Sequence, residues 1–164
     1  MDSIEFKKDF LESIKTAAAV TGEGSCASFV DNIAQYLIDA EVLSDFSPSF
    51  YTGRYGRNKY RVDGYVYDEF DNTMNLIIAN FNGNDLERRI THTVATHNFG
   101  ELMVFVKATL KSNLYKEIEM STPCADLVDL LRLNERKIRK YRLLIFTDAE
   151  MSSAIKTVDI EDYE

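Results

Sequence analysis

The chain has 164 residues, 45% of them apolar and 28% charged, with ten Phe, nine Tyr, two Pro and no Trp. So much apolar and aromatic area excludes a chain that stays disordered, and no apolar run reaches the roughly 18–20 residues that a membrane-spanning helix needs. Nineteen Lys and Arg stand against 27 Asp and Glu, a net charge of −8, which excludes a surface coated throughout by nucleic acid but leaves room for a local basic patch.

The length suits a single domain over residues 1–164 with its own core. Two cysteines, Cys26 and Cys124, give neither a disulfide framework nor a CxxC pair, so a cytoplasmic, reducing setting is expected, with no membrane partner. In chain order, Ile4, Phe6, Phe10, Leu11 and Ile14 predict a first helix over 3–21, closed by Gly22 and Gly24. Phe29, Val30, Ile33, Ala34, Leu37 and Ile38 predict a second over 25–44, ended by Ser47-Pro48. The pattern then turns to period two. Residues 49–54 suit a short strand, and Lys59–Tyr67 (KYRVDGYVY) a strand rich in aromatic and β-branched residues. Residues 68–72 read as a turn and Thr73–Phe81 as the returning strand, covered on both faces because Leu76–Ala79 does not alternate.

A long helix is expected from Asn84 or Asp85 through Leu114, with Gly100 a possible kink, and a shorter one over 122–133 with Pro123 in its first turn. Tyr141–Thr147 suits an apolar strand, and 155–164 a final strand or an acidic tail. The order predicts an α/β (α+β) protein, a mixed central sheet flanked by helices, without repeats, linkers or a second domain.

The chemistry centres on Asp63, opposite the strand that ends in Ile78-Ala79-Asn80. A hairpin with an acid on one strand and Glu-x-Lys on the next is the geometry by which nucleases hold Mg²⁺ beside a phosphate. Here Asp63 is the candidate metal ligand and catalytic residue, and Ile78 and Asn80 stand where the Glu and Lys would be. Glu41, near the end of the second helix, is a candidate second carboxylate, and Mg²⁺ the cofactor if the site cuts; no other cofactor is expected. The alternative is that Asp63 and Gly64 shape a bent strand and Glu41 is a solvated helix end. Asp68, Glu69 and Asp71 suit turn chemistry better than ligation. His92 and His97, five apart, diverge by about 140° on a helix, and neither cysteine has a basic neighbour in the sequence. Arg57, Lys59 and Arg61, with Arg54 before them, alternate with tyrosines and share a face with Asp63, which suits phosphate contacts. A second basic run, Arg132–Arg142, suits a solvated loop equally well. No phosphate-cradling glycine loop or nucleophile-elbow serine is present.

The stretch Arg61–Phe81 (RVDGYVYDEFDNTMNLIIANF), followed by Ile118–Pro123, Asp126-Leu127 and Ile138–Asp148 (IRKYRLLIFTD), resembles the N-terminal domain of the AIPR proteins, the abortive infection phage resistance proteins of bacteria. The resemblance runs from about Phe29 to Lys156. It implies a restriction-endonuclease-like αβββαβ core, here with an extra N-terminal helix, excised from a longer protein whose C-terminal region would be a partner. Asp63 matches the first acid of the nuclease pattern; Ile78 and Asn80 depart from it. These departures favour a catalytically degenerate antiphage domain that recognises nucleic acid or a partner. The alternatives are an active Mg²⁺-dependent endonuclease and a protein-interaction scaffold without a nucleic-acid role.

Overall fold

The computed structural model describes residues 25–81, 89–147 and 150–151. The helix expected over 3–21 and the closing segment 155–164 lie outside the described residues. Helix α1 (Ser25–Asp39) buries Phe29, Val30 and Ala34 and ends five residues before the expected Ser44. It stops in a Schellman closure, in which Val42 N donates to Leu37 O and Glu41 N to Ile38 O, with Glu41 in the left-handed conformation at φ 61°.

Strands β1 (Ser47–Tyr55), β2 (Asn58–Asp68), β3 (Thr73–Asn80) and β5 (Lys140–Thr147) form one sheet in the order β1-β2-β3-β5. The first three run antiparallel in sequence, and β5 lies parallel to β3. The result is the expected α+β class, a four-stranded mixed sheet between helices. Pro48, expected to mark an exit, sits inside β1, tolerated because β1 is the sheet edge.

A second pair, β4 (Arg89–Ile90) with β6 (Glu150–Met151), is parallel. Helix α2 (His92–Lys111) starts later than expected. Thr91 caps it, its Oγ1 accepting from Val94 N at 3.2 Å. Gly100 lies within this helix, which continues past it as helix. Ser112 closes it by bonding back to Ala108 O, so Leu114 opens a separate turn, α3 (Leu114–Glu117). Helix α4 (Pro123–Leu133) has proline in its first turn, as expected. No helix among the described residues is long and apolar enough to cross a membrane.

Two apolar layers flank the sheet. Tyr60, Val62, Met74, Leu76 and Ile78 pack with Leu102, Phe105 and Val106 of α2 and Leu127 and Leu131 of α4. On the other face Val66, Ile77, Ala79 and Phe146 pack with Phe29, Val30 and Ala34 of α1 and with Leu43. Strand β3 therefore feeds both layers, which is why Leu76–Ala79 shows no alternation.

Strand β2 changes phase midway. Tyr60 and Val62 face the α2 layer, whereas Val66, at the same parity, faces the α1 layer. The switch falls at Asp63-Gly64. There β1 carries a bulge, with Ser49 and Phe50 opposing Asp63 alone and Phe50 at φ 39°.

Candidate nucleic-acid interface

At the β1–β2 hairpin the two-residue loop Gly56-Arg57 sets the register. Gly56 takes φ 64°, and the pairs Arg54↔Lys59 and Thr52↔Arg61 follow. Directly opposed residues share a face, so Thr52, Arg54, Lys59 and Arg61 all lie on the side of the sheet that α1 covers further along β2. Thr52, Arg54 and Lys59 are exposed there, and Arg57 is exposed at the tip. Thr52, Arg54, Lys59 and Arg61, together with Gly53, Tyr60 and Glu101 of α2, line a cleft of about 410 Å³. Glu101 also holds His97 at 3.3 Å. The cleft depends on a close approach: a Cβ at Gly53 would lie 2.3 Å from the Tyr60 hydroxyl. Tyr60 is buried against Phe105 and Tyr51. Burial first, then the neighbouring Tyr51, pushes its phenol well up, so it stays protonated.

Asp63 sits on the same face and is 2% exposed. Arg61 Nε donates to both carboxylate oxygens, at 3.0 and 2.9 Å, and Ala79 N donates to Oδ2 at 2.7 Å. The Ala79 bond explains the location. Pairing of β2 with β3 ends at Gly64↔Ile77, and beyond that point the Asp63 side chain accepts the N–H that a strand carbonyl would have taken. Burial raises the Asp63 pKa; the Ala79 N–H and Arg61 pull it back without reversing the shift. Desolvation alone would lower the Arg61 pKa, but the Asp63 charge raises it further, so the guanidinium stays charged. Arg61 Nη2 also reaches Cys26 Sγ at 3.7 Å, a basic neighbour that the linear sequence hides. Cys124 is buried, and its thiol is pushed up to about 12.

The neighbours of Asp63 do not fit a divalent cation. On β3 the register that pairs Gly64 with Ile77 sets apolar Ile78 opposite Asp63, and the next residue, Ala79, supplies the backbone N–H that the carboxylate accepts. Neither Ile78 nor Ala79 offers a carboxylate or an ammonium group beside Asp63. Glu41 is exposed at the end of α1, where its backbone closes the helix. Asp68 and Asp71 accept Phe70 N and Thr73 N within the turn, at 3.0 and 3.1 Å. Among the described residues no group of three or more His, Cys, Asp or Glu could hold a metal ion. In the second basic run Arg132 is taken up by the fold, 3.6 Å from the Tyr115 ring centroid and donating to Thr109 O, whereas Arg136, Lys137, Arg139 and Lys140 are exposed.

Sequence reading did not find Thr52, Glu101 or Cys26 as members of this site. The hairpin register could have supplied the first, since a two-residue loop at 56–57 fixes Thr52 against Arg61. Glu101 and Cys26 arrive from helices on opposite faces of the sheet, which no local pattern encodes.

No curated protein and no solved structure matches the chain. A family model described as the abortive infection phage resistance protein N-terminal domain matches residues 29–164, a span that takes in all but the first turn of α1, the four-stranded sheet and the cleft. The chain therefore belongs to the abortive infection phage resistance family, as its N-terminal domain.

Proposed function

We propose that this domain is a restriction-endonuclease-like fold that has lost its cutting site and binds nucleic acid through the β1–β2 ribbon. The observation that carries the reading is the pairing of Asp63 with Arg61 beside an open cationic face. The one acid of the nuclease frame is spent on a strand junction, while Arg54, Arg57 and Lys59 stay exposed for phosphate. The helix, three antiparallel strands, helices and parallel strand follow the αβββαβ order of that fold. A net charge of −8 disfavours binding over the whole surface and favours a local basic patch such as this one.

The test is binding of labelled single- and double-stranded oligonucleotides between 50 and 200 mM salt. Each phosphate contact contributes roughly 0.9 to the slope of log K against log salt on duplex DNA. Arg57→Gln with Lys59→Gln should therefore lower that slope by about 1.8 and leave the fold intact. Arg61 is excluded from the variant because it holds Asp63. Equal slopes for both proteins would remove the interface, and Mg²⁺-dependent cleavage abolished by Asp63→Asn would replace recognition by catalysis.

A further inference from the structure

We propose that the other end of β2 carries a receptor for a cationic side chain, an arginine or lysine presented in an extended segment of a protein partner. Pairing between β1 and β2 begins at Ser47↔Tyr65. Beyond it, Tyr67 turns its backbone to an edge with no strand beside it among the described residues, while Val66 faces β3, its carbonyl accepting from Asn75 Nδ2 at 3.1 Å. A cleft of about 180 Å³ opens there. Its aromatic walls are Phe46, Tyr65 and Tyr67, Val66 and Leu130 supply apolar surface, and the carboxylates are Asp45 and Glu69. Both acids are exposed, and no Lys or Arg is among the lining residues. Asp126 of α4 adds to the negative field. Burial, relieved in part by the Ser47 hydrogen bond, and then the Asp126 charge push the Tyr65 phenol up.

The size selects one side chain, because sites that enclose a small-molecule ligand run to roughly 300–1,000 Å³. The chemistry selects a cation. Aromatic faces attract ammonium and guanidinium groups, the two carboxylates can accept their N–H donors, and the apolar residues suit a methylene stem. The same packing occurs inside the chain, where Arg132 lies over Tyr115. The open β2 edge at Tyr67 selects an extended backbone for the ligand, since its N–H and C=O can pair with an added segment. The cleft is held in shape from beneath. Phe46 covers Gly64, where a Cβ would lie 2.2 Å from the ring. Tyr67 donates to Asn72 Oδ1 at 3.0 Å, and Arg139 N donates to Asn72 O at 2.9 Å. A preformed cleft loses little freedom on binding.

The experiment titrates the pentapeptide acetyl-Ala-Val-Arg-Val-Ala-amide into the isotopically labelled chain and follows amide shifts. The matched peptides carry lysine, neutral citrulline or glutamate at the centre. The expected result is saturable binding with shifts centred on Phe46, Val66, Tyr67 and Glu69. Citrulline should weaken it at least tenfold, and glutamate should abolish it. Asp45→Asn with Glu69→Gln should cost the arginine peptide at least tenfold. Glu119→Gln with Glu135→Gln, which changes the net charge equally, should leave it unchanged. No binding, equal binding of the citrulline peptide, shifts centred elsewhere, or equal loss in the control variant would each overturn the proposal. Spermidine binding as tightly as the peptide would also overturn it, by assigning the cleft to a free polyamine.

Discussion

The two ends of β2 carry opposite chemistry on one continuous strand. At the hairpin end Arg54, Lys59 and Arg61 line an open cleft of about 410 Å³; at the turn end Asp45 and Glu69 flank a smaller aromatic one. Each end rests on a glycine crossed by an aromatic side chain, Gly53 under Tyr60 and Gly64 under Phe46. Between them lies Asp63, where β2 shifts phase and separates from β3. The contrast shows how an acidic chain can still offer a surface to an anion. The negative charge is not spread evenly, and the residue that looks most catalytic is the joint between two oppositely charged ends.

The strongest way to break this comparison is to remove the joint. Asp63→Ala leaves the Ala79 N–H without its acceptor in a buried site and strips Arg61 of its counter-charge. A buried donor left unpaired and a broken ion pair place the loss at about 3 kcal/mol, less than a fully buried pair because the Arg61 side chain is 37% exposed. Chemical denaturation reads this directly. If Asp63 were instead a carboxylate held free for a metal, its removal would leave stability unchanged or raise it.

The two glycines sharpen the comparison. Gly53→Ala drives a methyl group against the Tyr60 hydroxyl and ring at 2.3 and 2.4 Å, and Tyr60 is hemmed in by Phe105 and Tyr51. Overpacking of this kind costs about 1–3 kcal/mol, and the hairpin end should lose nucleic-acid binding with it. Gly64→Ala meets Phe46 at 2.2 Å, but Phe46 is only half-buried and has room to swing outward. Its stability cost should be the smaller of the two, and its damage should fall on the turn-end cleft. Denaturation midpoints of the two variants, set beside each one's oligonucleotide and peptide binding, check whether the ends fail separately.

How much of this was legible in the sequence depended on whether a feature is local. The aromatic and β-branched run Lys59–Tyr67, the unalternating Leu76–Ala79 and the proline-started α4 are each written within a few neighbouring residues, and the structure has a strand, a doubly covered strand and a helix there. The end of α1 was missed because Glu41 holds a left-handed position usually given to glycine or asparagine, so no stop signal preceded Ser47-Pro48. The start of α2 was placed too early because Thr91 is an unadorned cap, without the Glu or Gln three residues on that would mark a capping box. Ile78 was expected opposite Asp63, as the register continued from Gly64↔Ile77 has it, but the bond from Ala79 N to the carboxylate was not foreseen. The strand bends at Asp63-Gly64, and simple alternation cannot count through a bend. The turn-end cleft was invisible, since it is assembled from residues 45–46, 65–69 and 130 of three separate segments.

The finest test concerns the charge on Asp63 itself. Its folded pKa stands above the ordinary carboxylate value because burial outweighs the Arg61 and Ala79 contacts. A raised folded pKa means that the native state holds the proton more tightly than the unfolded chain. The carboxyl therefore contributes stability below the unfolded value, about 3.9, and loses that contribution as pH rises through the folded pKa. Asp63→Asn keeps an oxygen to accept the Ala79 N–H but cannot titrate, so it should cost only about 1 kcal/mol at low pH. Its deficit against the parent chain should then shrink as pH climbs from the unfolded value, about 3.9, through the folded pKa, and stay level above it. Paired urea denaturations across that range measure the difference. A deficit that instead widens with pH would mean that Arg61 dominates and holds the carboxylate ionised, leaving the acid at the joint more stable charged than neutral.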